Sequence, residues 1–146
     1  MNDVKIIEPK TEGEFSIYYQ IRYNALRKPW NMPPGSEKDE TENESLHFMA
    51  VDENTPIGVV RLQYNTDGTA QVRYMAVDEK FRGKNIGSLL LIHVEKRAIA
   101  DGKKKMILQA RDYAVPFYEV NGYTVIEKSF LLWGTIQHFL MEKHLH

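Results

Sequence analysis

Apolar residues recur along the chain with two different periods, and each change of period marks an element. Val4-Lys5-Ile6-Ile7 alternates weakly and reads as a first strand, stopped by Pro9. Thr11-Glu12-Gly13-Glu14 has the form of a capping box, in which Thr11 caps a helix and Glu14 reaches back to its amide. Phe15, Tyr18, Tyr19, Arg22 and Leu26 follow at helical spacing, with Ile17, Ile21 and Ala25 widening the apolar face. Tyr18, Tyr19 and Tyr23 read as packing residues of that helix. From Lys28 to Ser45 the periodicity stops. Pro29, Pro33, Pro34 and Gly35 break any regular element. The run from Ser36 to Ser45 carries five acids against one lysine and reads first as a solvated, mobile loop. Trp30 and Met32 point to a fold-back onto something apolar, and the acids to a second role, a lid or wall that attracts a cationic substrate.

The strand period returns at Leu46–Val51 and Ile57–Tyr64. Asn65-Thr66-Asp67-Gly68-Thr69 is a hairpin signal, with Asp-Gly supplying the positive backbone dihedral, and it leads into a strand over Ala70–Val77. These three strands are expected to form an antiparallel meander. Ile86 to Ala100 is helical, with Ile86, Leu90, Val94 and Ala98 on one line at four-residue steps and Gly102 as its stop. His93 lies beside that line and reads as a packed or surface histidine. Met106–Ala110 is a short strand reached by a long crossover, which predicts parallel pairing with Ala70–Val77. A short helix over about 114–120 ends at Asn121-Gly122, and strands over Tyr123–Phe130 and Ile136–Lys143 meet around Trp133-Gly134. The order β-α-loop-βββ-α-β-α-ββ predicts an α/β (α+β) fold: a mixed sheet flanked by helices, in a single domain over residues 1–146.

One junction carries the clearest chemistry. The Ala70–Val77 strand runs through the charged, glycine-bearing turn Asp78–Asn85 into the N-terminus of the Ile86–Ala100 helix. Free first-turn amides and the positive end of the helix dipole make this a place for a phosphate-bearing ligand. The bulk composition, 42% hydrophobic and 27% charged, is ordinary for a globular domain. A formal net charge of −1 argues against a nucleic-acid partner, and Lys103-Lys104-Lys105 reads as a solvated turn. The lack of cysteine excludes disulfides, thiolate metal sites and a cysteine nucleophile, and fits a reducing cytoplasm. No apolar run has the length of a signal h-region or a membrane span, so a cytoplasmic protein is expected. The five histidines are scattered, and HExxH, GxSxG, Walker A and GxGxxG are all absent, so no metal is expected.

The run Tyr74-Met75-Ala76-Val77-Asp78-Glu79-Lys80-Phe81-Arg82-Gly83-Lys84-Asn85-Ile86-Gly87-Ser88 and the run Ala114-x-x-Phe117-Tyr118-x-x-x-Gly122-Tyr123, in this element order, resemble the GNAT superfamily of acetyl-CoA-dependent N-acetyltransferases. The family's phosphate loop has the pattern Arg/Gln-x-x-Gly-x-Gly/Ala; Arg82, Asn85 and Gly87 occupy those positions, with asparagine in place of the middle glycine. Asparagine is the side chain that best tolerates the left-handed region, so the turn survives the departure. The resemblance implies that backbone amides of Arg82, Gly83, Lys84, Asn85, Ile86, Gly87 and Ser88 hold the pyrophosphate of acetyl-CoA. It implies that Met75, Ala76 and Val77 pair with pantetheine and polarise the thioester, and that Tyr118 protonates the departing thiolate. The segment Thr135-Ile136-Gln137-His138 is similar to a Gly-x-Pro-His turn in a subgroup of small bacterial members, without its proline.

The resemblance leaves the acceptor open: a primary amine on a small molecule or peptide. No base is singled out; Glu119, His47, His138 and an acid of residues 37–44 stand as candidates, directly or through water. Arg111 and Asp112 stand near the pantetheine position of relatives, and adjacent residues cannot both point inward. A homodimer through the terminal strands is a further expectation of the resemblance. Two other readings compete: an acyl-CoA-binding sensor or scaffold on the same fold without turnover, and a nucleotide-phosphate binder using the same helix N-terminus.

Overall fold

The computed structural model describes residues 3–146. In chain order the elements are β1 (Val4–Ile7), α1 (Glu12–Leu26), β2 (Leu46–Asp52), β3 (Thr55–Tyr64), β4 (Ala70–Val77), α2 (Ile86–Ala100), β5 (Lys105–Arg111), α3 (Val115–Val120), β6 (Thr124–Leu132) and β7 (Ile136–His144). Short 3-10 turns occupy Lys28–Trp30, Glu42–Glu44, Glu79–Phe81 and Asp112–Ala114. The seven strands lie in the order β1-β2-β3-β4-β5-β7-β6. β1–β2, β2–β3, β5–β7 and β6–β7 pair antiparallel, and β4–β5 pairs parallel, as the crossover predicts. This is the mixed α/β fold expected from the element order.

Packing divides the chain into two compact units, one running to Gln63 and taking in Tyr74–Val94, the other comprising Tyr64–Arg73 and Glu95–His146. In the first, the capping box forms as read: the Glu14 amide donates to Thr11 Oγ1 at 3.0 Å and the Thr11 amide to Glu14 Oε1 at 3.1 Å. The helix it starts buries Tyr18 and Ile21 against Met49, Val59 and Ala76. β3 is buried continuously from Ile57 to Leu62, the signature of a strand covered on both faces. Gly58 makes that possible at the start of α2. A Cβ there would lie 3.1 Å from Leu90 Cδ1, 3.2 Å from Ile86 Cγ2 and 3.3 Å from the Ala76 carbonyl oxygen.

In the second unit β5 alternates, burying Met106, Leu108 and Ala110. Tyr123 is buried; its hydroxyl donates to Glu95 Oε2 at 2.8 Å, while Lys143 Nζ donates to Glu95 Oε1 at 3.0 Å. α3 ends through Gly122 at φ 94°, with the Tyr123 amide returning to the Tyr118 carbonyl. His93 packs edge-on against Phe48 in the first unit, the first of the two roles, packed or surface, expected for it. No helix is long and apolar enough to cross a membrane among the described residues.

Residues 28–45 overturn the first reading of that stretch as a solvated, mobile loop. Glu37 and Glu42 are buried, and the segment is fastened to α1 and β3 by arginines. Arg22 Nη1 donates to the Glu37 carbonyl at 3.0 Å, and Arg27 Nε donates to the Ser36 carbonyl at 2.9 Å. Two of the five acids, Asp39 and Glu42, serve as counter-charge to the arginines beneath them, the Glu37 carboxylate accepts the Gly35 amide at 2.8 Å, and Glu40 and Glu44 are exposed.

Candidate active site

The turn after β4 is built from backbone conformation. The Asp78 amide donates to the Ile57 carbonyl at 2.8 Å, tying the end of β4 to β3, and Asp78 Oδ1 accepts the Lys80 amide at 2.9 Å. Gly83 and Asn85 both adopt positive φ, 78° and 64°, so Asn85 fills the left-handed position expected of it. The first intrahelical bond of α2 runs from the Leu89 amide to the Asn85 carbonyl at 3.0 Å. The amides of Ile86, Gly87 and Ser88 therefore precede the ladder, at the positive end of a 15-residue helix. Arg82, Gly83, Lys84 and Asn85 are exposed, Gly87 and Ser88 half-buried, and Ile86 is buried as the anchor. Arg82 Nε leans back to the Val77 carbonyl at 3.4 Å. Met75 and Val77 are half-buried and Ala76 buried; all three lie beyond the last β4–β5 pair, Val72 with Leu108. A cavity of about 710 Å³ flanks this junction, between the end of α1 and Val77–Arg82, and receives Lys28, Lys80 and Arg82 on its wall.

Behind β4 lies a cluster that the sequence did not reveal. Arg22 and Arg61 are fully buried. Glu42 Oε2 accepts from Arg22 Nη1 at 2.8 Å and from Arg61 Nη1 at 2.9 Å, and Asp39 Oδ1 accepts from Arg61 Nη1 at 2.7 Å. Burial raises the Glu42 and Asp39 carboxyls, but the guanidinium bonds and backbone amides outweigh it and hold both below the ordinary carboxylate range. Arg22 Nη2 also donates to the Tyr18 hydroxyl at 2.9 Å. Tyr18 and His47 Nδ1 share a 2.8 Å hydrogen bond, and His47 Nε2 lies 2.8 Å from the Glu42 carbonyl. That carbonyl can only accept, so Nε2 carries the proton and Nδ1 receives the tyrosine's. Burial first, then the two arginines, keep the imidazole neutral.

Tyr74 sits on this cluster in an unusual state. It is a β4 residue with φ 52°, a left-handed conformation that costs an aromatic side chain on the order of 1–3 kcal/mol. The guanidinium carbons of Arg22, Arg61 and Arg27 lie 4.3, 5.1 and 5.6 Å from its ring centroid. Its hydroxyl donates to Asp39 Oδ2 at 3.4 Å. Nothing in the local sequence marks this residue; the positive φ of a tyrosine inside a strand has no composition signal.

In the second unit, Tyr118 of α3 is half-buried between Phe117 and Tyr123, with ring centroids 5.1 and 5.9 Å away. Its hydroxyl has no hydrogen-bond partner among the described residues, and burial alone pushes the phenol well above its ordinary value. Such a phenol keeps its proton throughout the working pH range. His138 is buried, stacked on Phe130 at 4.3 Å with Nδ1 3.1 Å from the Ile136 carbonyl. Arg111 donates to the Tyr113 hydroxyl at 3.0 Å, and the exposed Asp112 accepts the Tyr113 amide, so the two part company as their adjacency requires. Of the candidate bases, His47 has both nitrogens engaged and Asp39 and Glu42 are held as weak bases by arginine; Glu119, Glu40 and Glu44 are exposed.

The acetyltransferase (GNAT) family model matches residues 15–123. The Bacillus subtilis protein named uncharacterized N-acetyltransferase YjcF is 31% identical over 140 residues, covering 96% of this chain and 99% of that one. A crystal structure from Lactobacillus plantarum superposes with a TM-score of 0.88 at 21% identity, covering 99% of this chain and 100% of that one. A GNAT family acetyltransferase from Elizabethkingia anophelis, solved with acetyl-CoA bound, gives 0.78 at 21% identity, covering 99% and 100%. This chain belongs to the GNAT family of acetyltransferases. It is an acyltransferase.

Proposed function

We propose that this protein transfers an acetyl group from acetyl-CoA to a primary amine of a small molecule or peptide, with both bound together and the amine attacking directly. The observation that carries this reading is the cradle after β4: two left-handed residues, Gly83 and Asn85, opening a 15-residue helix whose first amides are uncommitted. The chain's own residues fit such a donor. Lys28, Lys80 and Arg82, against Asp78 and Glu79 on the same wall, leave the adjoining cavity with an excess of one positive charge, and Met75–Val77 offer strand backbone past the last β4–β5 pair. The acetyl-CoA bound to the Elizabethkingia relative supports the same choice of ligand. Residues 1–146 act in this reading as one acetyltransferase domain.

Acetyl-CoA, when bound, supplies an activated acetyl thioester. Backbone amides from Gly83 to Ser88 hold its pyrophosphate; the Arg82 amide, expected among them, instead donates to the Glu79 carbonyl at 3.4 Å. Backbone groups of Met75, Ala76 and Val77 align the pantetheine arm as an added strand would, and an amide there polarises the thioester carbonyl. The Tyr118 hydroxyl donates its proton to the departing sulfur. Asp39 and Glu42 are spent on Arg22 and Arg61, so they neither deprotonate nor attract the amine. The acceptor's proton leaves through an exposed acid or water.

The test is release of free thiol from acetyl-CoA with a panel of amines. Release with at least one amine supports the transferase reading. Tight acetyl-CoA binding with no release from any amine supports the sensor or scaffold instead. Preferential stabilisation by ATP or NAD over coenzyme A overturns both. Tyr118→Phe is expected to lower kcat by about a hundredfold while leaving acetyl-CoA affinity within about twofold. Wild-type turnover across pH would assign Tyr118 to packing.

A further inference from the structure

We propose that Tyr74 is a positioning residue of the donor half, aiming the Met75–Val77 backbone through a strained conformation that the arginine cluster holds in place. The inference rests on the donor reading above. Three facts converge on it. Tyr74 has φ 52° inside β4, so the chain direction at Met75 is set by a conformation a tyrosine does not choose for itself. Its ring carries the guanidiniums of Arg22, Arg61 and Arg27 at 4.3–5.6 Å, and its hydroxyl reaches Asp39. Arg22 Nε and Arg61 Nε are both buried without a hydrogen-bond acceptor, so the electron-rich ring is part of what compensates these cations.

Each side of the contact therefore constrains the other. The guanidiniums need the ring, and the ring cannot stay over them if Tyr74 relaxes to an ordinary strand dihedral. A relaxed residue 74 would turn the following amides, and the groups proposed to face the thioester would miss it. The cradle at Arg82–Ser88 is made by a separate set of backbone bonds and would remain. This separates Tyr74 from a residue that merely stabilises the fold: its loss should strike turnover while coenzyme A affinity is kept.

The experiment measures acetyl transfer and, separately, coenzyme A binding by calorimetry for wild type, Tyr74→Leu, Tyr74→Gly and Tyr74→Phe. Tyr74→Leu is expected to lower kcat at least tenfold with coenzyme A affinity within about threefold. Tyr74→Gly frees the dihedral but removes the ring, and is expected to fall with the leucine variant. Tyr74→Phe keeps the ring and should recover most of the lost kcat. A leucine variant with wild-type kcat, or a glycine variant as active as wild type, overturns the role of the ring. Should Tyr74→Leu fail to fold, Arg27→Gln thins the stack from its half-buried member, and about a threefold fall in kcat at unchanged coenzyme A affinity is expected; unchanged kcat overturns the proposal. A wild-type protein that binds coenzyme A but releases no thiol from any amine overturns the proposal together with the transferase reading, whereas an active wild type with indifferent Tyr74 variants overturns the positioning role alone.

Discussion

Two parts of the first unit, the proposed phosphate cradle after β4 and the ion cluster beneath residues 37–44, are built on opposite plans. The cradle is exposed and made of backbone: left-handed dihedrals at Gly83 and Asn85, and amides ahead of the first bond of α2. The cluster is buried and made of side chains, with Arg22 and Arg61 fully enclosed and Glu42 and Asp39 as their counter-ions. A backbone site tolerates sequence change outside its special dihedrals and contributes little to stability. A buried ionic site is fragile, because removing one partner strands the other in a low-dielectric interior. Function and stability should therefore separate when the two regions are altered.

The largest effect should come from the cluster. Glu42→Ala leaves two buried guanidiniums short of a shared carboxylate and is expected to cost about 3–5 kcal/mol of stability, read as a lowered midpoint in urea unfolding. A change below about 1 kcal/mol would show that the cluster is hydrated and would erase the contrast. Acid should find the same weakness. Asp39 and Glu42 have folded values below their ordinary 3.8 and 4.5, so their stabilisation is complete above those values and is lost as pH falls through the lower, folded ones. His47 is also depressed from 6.5, so the unfolded chain binds its proton first and stability begins to decline below about pH 6.5. Urea midpoints should fall gently below that pH and steeply below about pH 4. A flat profile between pH 7 and 5, or an acid limb unchanged in Glu42→Ala, would contradict the assignment.

The cradle should give the reverse pattern. Gly87→Asp places a carboxylate where the pyrophosphate is proposed to sit and is expected to weaken coenzyme A by about tenfold or more, close to 1.4 kcal/mol. Its stability should stay within about 0.5 kcal/mol of wild type, since an acid in the first turn of a helix suits the dipole. Equal affinity in the variant would remove the site.

The same contrast explains what could be read in advance. The strands, α1 with its capping box and α2 from Ile86 to Ala100 follow from apolar periods and caps, which are local signals. The strand–turn–helix geometry of the proposed cradle was legible for the same reason, since a strand, a glycine-bearing turn and a helix start lie next to one another in the chain. The cluster was not, because it joins the neighbouring Asp39 and Glu42 to Arg22 and Arg61, which lie far from them in sequence. Five acids in ten residues look the same whether water or buried arginines neutralise them. Arg22 did recur on the apolar face of α1, and a cation at a buried position was the one available hint of an internal counter-ion. Tyr74 left no trace at all, since its dihedral is imposed by contacts with Arg22, Arg27 and Arg61.

The smallest effect tests how far the backbone plan holds. Asn85 stands at φ 64° where the family pattern carries glycine. Asn85→Gly removes the modest cost of an asparagine in the left-handed region and also removes its side chain from the approach to the amides. The replacement simultaneously loosens the unfolded chain, which opposes the gain. The two terms nearly cancel in the fold, so the urea midpoint should move by no more than about 0.5 kcal/mol equivalent. They do not cancel in the ligand, where only the lost bulk acts, and coenzyme A affinity should rise by about threefold. A fall in affinity would mean that the Asn85 side chain contacts the phosphates, and the cradle would then be a side-chain site in part, closer in kind to the cluster behind it.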